Sequence, residues 1–152
     1  MKFHMTALAV AAFLTGAVIP AMAAGGATKD EAKAIVAKAS AYIKEVGPDK
    51  AYAEFSVKGG KWTDRDLYVV VYNIDGTVLA HGSNIKLVGK HLMDAQDVDG
   101  VYYIKDRMAL AAKKADFWQG YKFVNPVTKK IEPKQMFCHP QDNIAVCAGV
   151  YE

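Results

Sequence analysis

The sequence predicts an α/β fold of the α+β kind, with a central antiparallel sheet and a long N-terminal helix on one of its faces. Three observations carry this. A single apolar stripe at helical spacing runs from Ala32 to Val46. From Leu67 the pattern changes to runs of β-branched and aromatic residues. Between those runs lie the turn signals of hairpins rather than the regular helices that a parallel sheet requires.

The first residues read as an address. Lys2 gives a positive start, Ala7 to Ile19 is apolar apart from Thr15 and Gly16, and Pro20 precedes the small-x-small site Ala21-Met22-Ala23. That is the three-part pattern of a secretory signal peptide, with cleavage expected after Ala23. The alternative is an uncleaved membrane anchor, since the apolar run extended to Ala24 just reaches the length of a spanning segment. Residues 1–23 are thus assigned to the signal peptide and 24–152 to one domain. A chain of 152 residues supports a single core. Localisation is expected to be periplasmic or secreted.

The elements follow in order. Thr28-Lys-Asp-Glu31 forms a capping box at the start of a helix. Ala32, Ile35, Val36, Ala39, Tyr42, Ile43 and Val46 make its apolar stripe. Gly47-Pro48 stops it, and Pro48 opens a shorter helix through Ala51 and Phe55. Lys58 to Lys61 is a loop. Leu67 to Tyr72 has apolar side chains on both faces, so it reads as a buried central strand. Asp75-Gly76 is a hairpin turn, and Thr77 to His81 is the returning strand. A loop with Gly82, Gly89 and the acids Asp94, Asp97 and Asp99 leads to a third helix, Tyr102 to Ala115, with Ile104, Met108, Ala111 and Ala115 on its inner face. Phe117 to Phe123, Lys134 to Cys138 and Ile144 to Tyr151 are strands, the first two joined by a turn-rich connection.

Several chemistries are excluded by residue type. Asn73-Ile-Asp75-Gly-Thr77 resembles a phosphatase nucleophile loop, but an amide at Asn73 has no anionic oxygen to attack phosphorus. Asp97-Val-Asp-Gly100 resembles part of a calcium loop, yet Ala95 stands where the first ligand belongs. The acidic residues are expected to cap the following helix. His81, His91 and His139 lack metal-ligand spacing, so no metal and no cofactor are expected. No nucleophile elbow, phosphate loop or dinucleotide fingerprint occurs, and no enzymatic activity is expected. The net charge of +3 is too small and too scattered for nucleic acid.

Polar and aromatic residues gather on strands and strand ends instead: Tyr68, Tyr72, His81, Trp118, Tyr121 and Lys134. Alternation puts Tyr68 and Tyr72 on one strand face, with Val69 and Val71 on the other. Aromatic walls with one cation suit a small carboxylate. Ordinary half-buried sheet residues are the alternative reading of these aromatics. Cys138 and Cys147 are expected to face each other across a hairpin turning at Asp142-Asn143 and to form a disulfide. The alternative is two small buried residues that pack without bonding.

From Asp66 onward the chain resembles a single Cache domain, an extracytoplasmic sensor module. The residues that carry the resemblance are Asp66-Leu-Tyr-Val-Val-Val-Tyr72, Asp75-Gly76, His81-Gly82, Leu87-Val-Gly-Lys90, Asp97-Val-Asp-Gly100, Tyr121-Lys-Phe123, Asn125-Pro126, Lys134 and Gly149-Val-Tyr151. The capped first helix fits the family's long N-terminal helix. The resemblance implies a PAS-like fold that binds a small organic acid, with Tyr68, His81, Trp118, Tyr121 and Lys134 as ligand-binding residues. Such modules commonly sit inside larger receptors, whereas this sequence ends at Glu152. The expected partner is therefore a separate membrane-bound receptor or kinase, which receives the ligand signal. An interaction module that kept the fold and lost its ligand is the alternative. His139-Pro-Gln-Asp-Asn143 stands where many relatives carry an aromatic residue, which leaves the ligand class open.

Overall fold

The computed structural model describes residues 25–152. The expected signal segment, 1–23, lies outside the described residues. Helix α1 spans Lys29–Val46 and begins at the capping box: Glu31 N donates to Thr28 Oγ1, and Thr28 N donates to a Glu31 carboxylate oxygen. Gly47 ends it, and Pro48 opens helix α2, Pro48–Phe55. Strand β1, Thr63–Asp64, is a short segment absent from the sequence reading. It pairs with the start of β2, Leu67–Asn73. The Asp75-Gly76 turn leads into β3, Val78–His81. Asp75 Oδ1 accepts the Thr77 amide, and Gly76 adopts φ 87°, where a side chain would be strained.

A 3-10 turn at Ile85–Leu87 and a loop lead to α3, Tyr103–Ala111. Strands β4 (Phe117–Val124), β5 (Ile131–Gln141) and β6 (Ile144–Tyr151) follow. The sheet order is β1-β2-β6-β5-β4, every pair antiparallel, with β3 also paired to β2.

The sheet divides the core in two. Leu67, Val69 and Val71 of β2 face α1 and α2, together with Val146, Ala148 and Phe137. Tyr68, Val70 and Tyr72 point the other way and pack with Ile104 and Met108 of α3. The long first helix and the third helix therefore lie on opposite faces.

Three boundaries and contacts differ from the sequence reading. Helix α3 ends at Ala111 and leaves Ala115 exposed, because Lys114 turns to φ 57°. Strand β5 is longer at both ends despite Pro133 and Pro140. Each proline sits where only one neighbouring strand is in register, so its missing N–H costs no ladder bond on the open side. Asp97 does not cap α3, whose N-cap Tyr102 makes no side-chain cap bond. Its carboxylate accepts the amides of Asp99, Val101 and Lys122 instead, tying the loop along the edge of β4.

The β5–β6 register places Cys138 opposite Cys147, with Cα atoms 4.2 Å apart and the sulfurs joined. Gln141 pairs with Ile144, so the hairpin turns at Asp142-Asn143. Protein isolated from an oxidising compartment is expected to show no free thiols when denatured without reductant. A closed loop this short contributes no more than about 3 kcal/mol. Two free thiols would mean that the pair stays reduced.

Candidate functional site

The face of the sheet covered by α3 buries two cations. Arg107 comes from the middle of α3 and is completely buried. It lies on the stripe formed by Ile104, Met108 and Ala111, where a helix turns its apolar side to the sheet. Its Nε donates to Gln119 Oε1 at 2.8 Å and its Nη1 to Tyr72 Oη at 2.9 Å. Gln119 is oriented in turn by donating from Nε2 to the Tyr103 carbonyl. The guanidinium lies 4.7 Å from the centre of the Tyr121 ring, and Tyr103 stacks on that ring. Its Nη2 has no partner.

Lys134, on β5, is 1% exposed. The strand register sets it directly opposite Tyr121, whose ring the Arg107 guanidinium covers. Lys134 Nζ donates to Tyr68 Oη at 2.7 Å and to Tyr151 Oη at 3.2 Å. It also stands 4.0 Å above the Tyr68 ring. Among the described residues neither Lys134 nor Arg107 is in a salt bridge. Burial, reinforced by the Arg107 charge, holds the Lys134 pKa well below the ordinary lysine value. Burial also raises the Tyr68 and Tyr121 hydroxyls well above the usual tyrosine range, so both phenols stay protonated.

His81 ends β3 beside this pair, its ring 5.2 Å from that of Tyr68. Its Nδ1 accepts the amides of Asn84 at 3.1 Å and Ser83 at 3.4 Å, which puts the imidazole proton on Nε2. Burial, with Lys134 and Arg107 acting in the same direction, pushes its pKa down to about 3. The site thus combines two cations, several phenols and one neutral imidazole in a water-poor cage.

Of the residues expected from sequence, the structure brings together Tyr68, His81, Tyr121 and Lys134 on this face. Trp118 is not among them. It lies on the α1 side, 5.2 Å from the Phe137 ring and beneath the Lys29 ammonium. The physical reason is strand alternation: positions 118 and 121 differ by an odd number and must point to opposite faces. Sequence reading also passed over Arg107, Gln119 and Tyr151. The signal for Arg107 was present, since it occupies an inner position of an otherwise apolar stripe.

Cavity size alone points elsewhere. A groove of about 520 Å³ lies between α1 and β5, lined by Val36, Ser40, Phe137, Asp116 and His139 among others. Its hydrogen-bonded pair, His139 with Asp116, is solvent-exposed. A smaller cavity of about 180 Å³ opens over Tyr68, Gly82 and Ser83, with neither Arg107 nor Lys134 in its lining. Desolvated, unpaired charge is the stronger mark of a ligand site, so the α3 face is the candidate.

Three solved structures share this fold. A methyl-accepting chemotaxis protein from Vibrio parahaemolyticus matches with a TM-score of 0.69 at 19% identity, covering 81% of this chain and 87% of that one. A Cache chemosensory domain studied for its recognition of carboxylic acid matches with a TM-score of 0.69 at 17% identity, covering 80% and 91%. The periplasmic sensor domain of a chemotaxis protein matches with a TM-score of 0.61 at 19% identity, covering 80% and 88%. No match is found among curated proteins. Among the described residues no helix is long and apolar enough to cross a membrane. The family match named Single Cache domain 2 spans residues 10–151, nearly the whole sequence, and the chain belongs to that family of sensory modules.

Proposed function

We propose that this chain is an exported sensor module that binds a short organic carboxylate between Arg107 and Lys134 and passes ligand status to a separate membrane-bound receptor or kinase. The observation that carries the reading is the pair of fully buried cations, neither of them in a salt bridge. Burying unpaired charge is costly, and an anion entering the cage offsets that cost at both groups. A carboxylate would take the place of the Tyr68 hydroxyl at Lys134 Nζ and satisfy the free Nη2 of Arg107. Neutral His81 and the protonated phenols would complete the cage as hydrogen-bond donors. The structural likeness to a domain studied for carboxylic acid recognition agrees with this chemistry.

The test is a thermal-shift screen with C2 to C4 carboxylates. A ligand at 100 times its dissociation constant adds about 2.7 kcal/mol of stability. If no member of the series raises the melting temperature, the second reading gains. In that reading the Tyr68–Lys134–Tyr151 contacts fill the cage permanently, and the module works through partner contacts alone.

Export is part of the proposal and rests on the first 23 residues. N-terminal sequencing of protein from the cell envelope is expected to begin at Ala24. Full-length protein in the membrane fraction would favour the anchored alternative.

A further inference from the structure

We infer that the tip of the β4–β5 hairpin is a membrane-contact surface, which seats the module on a bilayer carrying anionic headgroups. This rests on the reading of an exported module with a membrane-bound partner. It places the module beside that partner and is independent of the ligand.

Single exposed aliphatic residues are ordinary, but a contiguous group of them marks a surface that meets something apolar. Val124 pairs directly with Ile131 at the end of the hairpin, and both are exposed. Val127, in the turn itself, is 61% exposed. Val98, equally exposed, lines one small cavity with Val124 and Ile131. The turn is braced rather than loose. Buried Asn125 accepts the Val127 and Thr128 amides at Oδ1 and donates from Nδ2 to Glu132. Its own amide donates to the Lys130 carbonyl, and its carbonyl accepts the Lys129 amide. These bonds hold Val127 out in water, where it adds nothing to the core.

Cations surround this apolar tip. Lys129 and Lys130 belong to it, with Lys129 donating to the Pro126 carbonyl. Lys58 lines one cavity with Pro126. Among the described residues none of these three lysines is in a salt bridge. Acids beside the tip are engaged: Glu132 holds Asn125 and Thr128, and Asp99 pairs with Lys122. Aliphatic groups interleaved with lysine on a projecting turn suit a bilayer better than a protein. Protein interfaces are depleted of lysine and favour aromatic residues. At a membrane the aliphatic groups enter the apolar boundary, while lysine stems reach back to the headgroups.

The path of the chain gives independent support. Gly25 and Gly26 line one cavity with Val127 and Thr128, so the chain enters the described domain beside this tip. The apolar run of the sequence ends at Ile19, six residues before Gly25, a span of no more than about 20 Å. An anchor retained there would hold the tip against the bilayer. Cleavage after Ala23 would instead add the α-ammonium of Ala24 to the same cationic end.

The test uses protein from the cell envelope, its N-terminus determined, and vesicles of phosphatidylcholine with or without an equal part of phosphatidylglycerol. A polarity-sensitive dye is placed on Val127→Cys, since the native cysteines are joined to each other and do not react. Its emission is expected to shift to the blue with the anionic vesicles. A dye on Lys44→Cys, near the other end of α1, is expected not to respond. Unlabelled processed protein is expected to float with the anionic vesicles, and Val127→Asp/Ile131→Asp to weaken that association at least about tenfold. Each lysine near an anionic surface contributes roughly fivefold, so Lys129→Gln/Lys130→Gln is expected to lose roughly twenty-fivefold. All four positions are exposed, and the melting temperature is expected to stay that of the wild type. Where the N-terminal segment is retained, flotation reads the anchor and the dye alone decides. Absence of the dye shift overturns the inference, as does equal flotation of the processed aspartate variant. A dye shift that follows protein concentration without vesicles would put a second copy on the tip and also overturns it. The carboxylate reading stands or falls on its own thermal shift, which needs no vesicles.

Discussion

Replacing Lys134 with methionine is expected to weaken carboxylate binding tenfold to over a hundredfold and, at the same time, to stabilise the ligand-free protein. The loss follows from the charged hydrogen bond, worth about 1.5–3 kcal/mol. The gain follows from removing an unpaired buried amine, since apolar replacement of buried charge is often stabilising by about 1–4 kcal/mol. Methionine suits the position because the lysine stem runs close against Gly149: a Cβ there would stand 2.7 Å from Lys134 Cε. The two hydroxyls left behind have partners, because Tyr68 and Tyr151 are 3.2 Å apart and Tyr151 donates to the Val124 carbonyl. The sign has a pH signature. A lysine whose pKa is depressed in the fold opposes folding at low pH and ceases to do so as pH approaches its unfolded value. The advantage of the variant should therefore shrink as pH rises towards 10. Calorimetric titration and denaturant unfolding read the two effects separately. A variant that binds as the wild type removes Lys134 from the site, and one that is less stable contradicts the account of its burial.

Acidification from pH 6.5 towards 3 is expected to destabilise the protein through His81, and His81→Asn is expected to flatten that part of the profile. The imidazole is neutral in the fold, with a pKa of about 3, and ordinary when unfolded. The unfolded chain binds the proton first, so stability is present above pH 6.5 and is lost as pH falls through the folded value. A displacement of that size corresponds to on the order of 5 kcal/mol at the acid end. Asparagine keeps an acceptor where Nδ1 receives the Ser83 and Asn84 amides, and it has no titrating group. Half-buried carboxylates such as Glu31 and Glu54, held low by hydrogen bonds, add their own acid sensitivity to both proteins. The informative quantity is the difference between the two slopes. Identical slopes for wild type and variant would show that His81 is not buried in its neutral form.

Local chemistry made much of the fold legible. The Thr28–Glu31 capping box, the Gly47-Pro48 break, the Asp75-Gly76 turn and the β-branched run of β2 act within a few residues of themselves, and each is found where its residue types place it. The long reach of β5 was not legible, because only pairing with β4 and β6 shows that Pro133 and Pro140 meet an open side. The end of α3 was also missed, since helical spacing continues past the point where Lys114 turns.

For the site, the sequence by itself determined the ingredients: tyrosines on alternating strand positions, a lysine on a late strand, a histidine closing a hairpin. It also held Arg107 in plain view on a helix stripe. Only the tertiary structure decided which of these meet. Alternation separates Trp118 from Tyr121, but which of the two faces of β4 holds the buried cations depends on which side of the sheet receives α3. Whether Arg107 and Lys134 are paired depends on contacts between segments far apart in sequence, as in the 66-residue separation between Lys134 and Tyr68. Alternation and spacing are properties of one segment, whereas desolvation of a charge is a property of everything packed around it.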